Sequence, residues 1–70
     1  MELQINGEKR TFEDGAVLDT VAAVLQHLQI EDDRGMAVAV NDRVIPRGKW
    51  SETGVEEGDR IEIIRATQGG

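Results

Sequence analysis

The sequence predicts an α+β domain in which one main helix packs across a mixed β-sheet. Three observations carry that expectation. Leu3 and Ile5 alternate with Glu2 and Gln4 ahead of Asn6-Gly7, a pair suited to a tight hairpin. From Val17 to Leu28 the apolar residues switch to spacings of three and four. From Met36 onward the pattern returns to short alternating runs separated by turn residues.

In ELQINGEKRTF, the first strand turns Leu3 and Ile5 to one face. Asn6-Gly7 fits a type I′ turn, whose two central residues both need positive φ. The return strand runs through Lys9 to Phe12, and Phe12 is expected in the core. The helix follows in EDGAVLDTVAAVLQHLQI, where Val17, Leu18, Val21, Val24, Leu25 and Leu28 form one apolar stripe. Asp14 is the candidate cap, and the helix is expected to stop near Ile30, before the charged run 31–34 and Gly35. In MAVAVNDRVIP, Met36, Val38 and Val40 point one way with Ala37 and Ala39 opposite, and Asn41-Asp42 turns the chain. Pro46 has no backbone donor, so Val44 and Ile45 are expected as a short or edge segment. Residues 47–58 read as irregular, with Trp50 as their large apolar anchor. Gly58-Asp59 supplies a turn, and RIEIIRA is the last strand. The resulting order, β-β-α-β-β-β, suits a β-grasp domain over residues 1–66 with a flexible tail over 67–70.

Seventy residues hold one domain. At that size a chain buries only about 60% of its unfolded surface. There is no cysteine and no Cys/His cluster, so apolar packing alone must hold the fold. Absence of cysteine fits a reducing compartment. No apolar run reaches the ~20 residues of a membrane span, and MELQINGEKR lacks the pattern of a secretory signal. The expectation is a soluble, cytoplasmic protein that does not engage a membrane. Net charge is −6, from 14 acidic against 8 basic residues. That balance argues against nucleic acid, whose binding rests on Lys and Arg at phosphates, and weakly favours a basic protein surface.

No internal active site is expected. His27 is the sole histidine, and the sequence places no carboxylate or nucleophile to work with it. Ser51 has no recognisable base. Glu31, Asp32 and Asp33 lack the alternating ligands and central glycine of a calcium loop, so no metal is expected. There is no G-x-x-x-x-G-K-[ST] phosphate loop, hence no nucleotide or other cofactor expected on the chain itself. Arg43, Arg47 and Lys49 surround Pro46 and read either as a contact for an acidic partner or as a solvated loop. Trp50 reads as a core lid or as a docking residue. Ile61 and Ile63 share the inward phase of the last strand, which sends Ile64 outward beside Arg60 and Glu62. It is either a lone exposed side chain or a partner contact.

The sequence ends ATQGG. At average glycine usage a chance Gly-Gly end occurs about once in 200 chains. Thr67, Gln68, Gly69 and Gly70 bring no apolar anchor, so this segment is expected to extend past the sheet. Without Cβ atoms, Gly69-Gly70 can thread a narrow channel and let another protein or a nucleotide approach closely. A carboxylate at Gly70 becomes reactive once its oxygen is turned into a leaving group. Coupling to AMP does this, in a partner that holds ATP and Mg²⁺.

The stretches VAVNDRVIPRGKW and GVEEGDRIEIIRATQGG, with the opening LQINGE, resemble the ThiS family of ubiquitin-like sulfur carriers of thiamine biosynthesis. The resemblance covers nearly the whole chain. It implies a co-substrate rather than an enzyme. Gly70 would be adenylated by a ThiF-type adenylyltransferase using ATP and Mg²⁺. Sulfur from a persulfide, supplied by a cysteine desulfurase or another donor, would then replace AMP. The Gly70 thiocarboxylate would carry that sulfur to a ThiG-type thiazole synthase. Sulfur would ride on the main-chain terminus, so no cysteine is required. Gly69 would give access, with Gln68 and Thr67 as channel contacts. Three alternatives stand beside this. One is a MoaD-like carrier for molybdopterin synthesis, from which VNDRVIPR leads away. Another is a protein modifier conjugated through Gly70. The last is a small interaction domain with an inert tail.

Overall fold

A computed structural model describes residues 1–13, 18–30 and 34–65. Strands β1 (Glu2–Ile5) and β2 (Glu8–Thr11) form the first hairpin. Its turn has Asn6 at φ 51° and Gly7 at φ 83°, the paired positive values that the Asn-Gly dipeptide accommodates. Helix α1 (Val21–His27) follows, then β3 (Met36–Val40) and β4 (Arg43–Ile45). The β3–β4 turn again takes positive φ at both central residues, Asn41 at 50° and Asp42 at 69°. A 3₁₀ helix (Arg47–Glu52) leads toward β5 (Arg60–Arg65).

The sheet order is β2-β1-β5-β3-β4. The last strand therefore lies in the middle, parallel to β1 and antiparallel to β3. This is the mixed sheet and single main helix that the sequence predicts. Leu3, Ile5, Val38, Val40 and Ile61 from the sheet share a core with Val21, Val24 and Leu25 of α1. Phe12, Leu18, Trp50 and Val55 belong to the same cluster. Each fully buried aliphatic side chain contributes about 1.5–3 kcal/mol. Val21 and Val24, both with no accessible surface, are the deepest of the helix.

Two expectations need correction. The helix is shorter than the apolar stripe suggested. Leu18 is buried but precedes it, while Val17 and Asp14 lie outside the described residues. The cap is Thr20, which has an extended backbone (φ −134°, ψ 165°) and whose hydroxyl oxygen accepts the Ala23 N–H at 3.2 Å. The reason is a backbone clasp just upstream. Val55 N–H donates to Asp19 C=O and Val21 N–H to Thr53 C=O, both at 3.0 Å, which holds residues 19–21 extended. The other correction is the 3₁₀ helix over Arg47–Glu52, in a stretch read as irregular. Lys49 N–H bonds back to Pro46 C=O at 2.8 Å, and the Thr53 hydroxyl donates to Lys49 C=O at 2.7 Å. Trp50 is buried and its indole N–H donates to Ile45 C=O at 3.0 Å, which settles it as a core lid.

The far end of α1 closes in a Schellman motif. Ile30 N–H reaches Leu25 C=O and Gln29 N–H reaches Gln26 C=O, each at 3.0 Å, with Gln29 at φ 62°. A helix stop near Ile30 agrees with the sequence.

Candidate partner-docking face

Residues 66–70 lie outside the described residues, so the expectations for Thr67, Gln68, Gly69 and Gly70, and for a tail over 67–70, concern a segment the structure does not describe. What it does describe is the strand that leads there. β5 is held on both sides, and two asparagines complete the hold. Asn41 N–H donates to Arg60 C=O at 2.7 Å, its side-chain oxygen accepts Arg60 N–H at 2.9 Å, and its amide nitrogen donates to Asp59 at 3.0 Å. On the other side, Asn6 N–H donates to Ile61 C=O at 2.9 Å and Asn6 Oδ1 accepts Ile63 N–H at 2.7 Å. Each asparagine sits in a hairpin turn, so turn chemistry and strand anchoring use the same residue.

The alternation along β5 follows the sequence reading. Ile61 is buried, Ile63 is partly buried against the core, and Ile64 is 58% exposed on the face away from it. The register brings Ile64 opposite Ala37 on β3, and Ala39 opposite both Glu62 and Val44. Val44 is 69% exposed. Ile64, the two alanines and Val44 thus form a continuous apolar band across β5, β3 and β4 on the open face of the sheet. Arg60 stands on the same face, paired with Asp42 at 3.0 Å. Val44 was missed as a site residue. The two-residue turn at Asn41-Asp42 pairs Val40 with Arg43 and hence Ala39 with Val44, so its outward phase was readable.

The basic residues are not gathered on that band. Arg43 pairs with Val40 and so takes the opposite phase of β4, beside a depression of about 430 Å³ that Ile45, Thr53 and Glu56 also line. Arg47 is exposed at the start of the 3₁₀ helix, and Lys49 lies 3.9 Å from Glu52. Ile64 and Arg43 therefore belong to different faces, and one flat partner surface does not cover both.

His27 is exposed, its ring edge-to-face with Phe12 at 5.2 Å between centroids. Among the described residues no group of three or more His, Cys, Asp or Glu side chains could hold a metal ion, and no helix is long and apolar enough to cross a membrane.

Comparison with known proteins bears on what this face serves. A family model described as the ThiS family matches residues 3–70. The chain is 37% identical over its full 70 residues to part of a thiazole synthase of Paramagnetospirillum magneticum, of which it spans 20%. It is 33% identical over 51 residues to the sulfur carrier protein ThiS of Escherichia coli, covering 73% of this chain and 76% of that one. The crystal structure of a thiamine biosynthesis protein (ThiS) from Geobacter metallireducens superposes over the whole of both chains, with a TM-score of 0.84 and 31% identity. A solution structure from the same organism gives 0.80 over all of this chain and 88% of that one. The sheet order, the single main helix and a family match running from the first strand to Gly70 agree: this chain belongs to the ThiS family.

Proposed function

We propose that this protein is a sulfur carrier of thiamine biosynthesis, acting as a co-substrate through a C-terminal carboxylate on Gly70. The observation that carries the reading is the family match, which extends through Gly69-Gly70. The proposed chemistry runs in three steps. A carboxylate oxygen of Gly70 attacks the α-phosphorus of ATP in a ThiF-type adenylyltransferase with Mg²⁺, releasing pyrophosphate and leaving an acyl-adenylate. The terminal sulfur of a persulfide, supplied by a cysteine desulfurase or another donor, attacks the carbonyl carbon and AMP leaves. A thiol then cleaves the resulting S–S bond and is oxidised to a disulfide, which leaves a thiocarboxylate on Gly70.

The chain's own contribution is presentation. Ile64 and Val44, with the alanines between them, offer a contact beside the base of the tail, while Gly69 and Gly70 admit close approach. Thr67 and Gln68 are the proposed channel contacts, with Arg43 and Arg47 as contacts from another side. A ThiG-type thiazole synthase is the favoured acceptor. In the Paramagnetospirillum relative, a segment similar to this whole chain occurs within a protein named thiazole synthase, which favours thiazole formation over molybdopterin as the destination.

The test is an intact mass after incubation with ATP, Mg²⁺, a ThiF-type enzyme, a cysteine desulfurase and cysteine. A gain matching one oxygen exchanged for sulfur, localised to Gly70, is expected. An unchanged mass with partners active on their own carrier would sink the proposal. Isopeptide adducts through Gly70 in cells would point instead to a modifier.

A further inference from the structure

The β5 strand outruns its neighbour. β1 pairs with it at only two positions, Gln4 with Arg60 and Ile5 with Ile61, and the chain then turns away at Asn6-Gly7. Backbone groups along β5 alternate between the two sides. Arg60 directs its own toward β3, where its C=O accepts from Asn41 N–H. Ile61 and Ile63 direct theirs toward β1, where Asn6 meets the Ile61 carbonyl and the Ile63 N–H. By the same alternation, the Ile63 carbonyl and the Arg65 N–H face the β1 side beyond its last partner. Neither has a backbone partner among the described residues. Met36 of β3 lies opposite Arg65 on the far side. A carbonyl and an N–H two residues apart on one side of a strand are the groups that an added strand pairs with.

We infer that the enzyme acting on the tail lays an extended segment of its own backbone along this open edge, bonding to the Ile63 carbonyl and the Arg65 N–H. The inference rests on the sulfur-carrier reading, which requires Gly70 to sit in a partner's active site. Reach supplies the argument for that occupant. Five residues follow Arg65 as far as Gly70. Fully extended, they span at most about 17 Å. An active site holding the Gly70 carboxylate therefore lies within about 17 Å of the end of β5, close enough for the enclosing protein to reach this edge. A surface that covers the edge removes water from the two backbone groups, and leaving them unpaired there would cost binding.

Arg65→Pro tests this directly, because proline removes the N–H that faces outward and no ladder bond to β3 is lost. Its demand for an extended preceding residue is already met by Ile64 in the strand. Arg65→Ala is the control, removing the side chain and keeping the N–H. With a ThiF-type adenylyltransferase and ATP, Arg65→Pro is expected to bind about tenfold more weakly than Arg65→Ala at equal melting temperature, as for one hydrogen bond left unmade at an interface. Amide exchange in the wild-type complex separates a lost bond from a redirected tail, since the Arg65 amide should slow markedly on binding. Proline and alanine variants binding within twofold of each other, or an Arg65 amide exchanging as fast in the complex as in the free chain, would each overturn the inference. If the wild-type chain is adenylated and either of these occurs, the edge alone fails. If the wild-type chain is not adenylated at all, the carrier reading falls and takes the edge with it.

Discussion

Asn6 holds two jobs at once, and replacing it in three ways separates them. Its backbone sits at φ 51°, and its side-chain oxygen accepts the Ile63 N–H at 2.7 Å. The left-handed conformation costs an ordinary residue about 1–2 kcal/mol. The hydrogen bond is solvent-exposed, so water replaces part of it and its loss costs about 0.5–1 kcal/mol. Asn6→Ala loses both, for a total of about 1.5–3 kcal/mol. Asn6→Gly keeps the conformation, loses the bond and adds about 0.5 kcal/mol of chain entropy, near 1–1.5 kcal/mol in all. Asn6→Asp retains the acceptor and most of the turn preference, and should stay within about 0.5 kcal/mol of wild type.

The assay is urea unfolding followed by Trp50 fluorescence, with the slope held common to all four proteins. A chain of 70 residues is expected to be stable by about 4–10 kcal/mol, so even the alanine variant should remain folded. A 1 kcal/mol loss corresponds to about 4–8 °C in melting temperature at this size, well within resolution. The expected order of stability is Asp, then Gly, then Ala. Equal losses for alanine and glycine would show that backbone strain is not the operative cost. An alanine variant as stable as wild type would refute both terms.

Other consequences are simpler. Thr20→Ala removes the hydroxyl that caps α1 and should cost about 1 kcal/mol, with Thr20→Ser restoring most of it, as thermal unfolding would report. Gln29→Gly should stabilise by about 0.5–1 kcal/mol, because glycine suits the left-handed position that ends the helix; a lower melting temperature would contradict this. Trp50→Phe removes the bond to Ile45 C=O and leaves a gap in the core, so a loss of about 1–3 kcal/mol is expected by chemical denaturation. Ile64→Glu should change stability by less than about 0.5 kcal/mol while weakening binding to a ThiF-type enzyme. Unchanged affinity with a sharp fall in melting temperature would return Ile64 to the core.

Most of the sheet was legible because period-two alternation and Asn-containing turns are local signals. The hairpin at Asn6-Gly7, the phase of Val38 and Val40, and the outward turn of Ile64 all follow from residue type and spacing. The helix start was not, because it is decided from far along the chain. Residues 53–55 hold 19–21 extended, and no pattern near Thr20 announces a partner more than thirty positions away. The 3₁₀ helix escaped for another reason. Six residues with one apolar side chain show no periodicity, so Trp50 was visible as an anchor and its support was not. The candidate face was half legible. Ile64 was found from phase, whereas its continuity with Val44 needed the register of β3 against two neighbours.

The edges of this sheet are not treated alike, and the contrast bears on how the protein meets a partner. An unpaired strand edge invites association with any extended chain, and folded proteins commonly blunt it with charge, brevity or proline. β2, one outer edge, is Glu-Lys-Arg-Thr and exposed throughout. β4, the other, is three residues long and is followed at once by Pro46. Both have the features that discourage pairing. The third edge, residues 63–65 of β5, is as short as β4 but carries no proline, and it borders Ile64 on the open face. It is also the edge nearest the residues proposed to enter another protein. Selection against indiscriminate pairing would act on this edge as on the others unless pairing there were useful. Substituting Ile63 by proline would not test the point, because its N–H is already bonded to Asn6 and the fold would suffer. Arg65 is the position where the outward N–H can be removed at least expense to the sheet, and the contrast between its proline and alanine variants decides whether the open edge serves recognition.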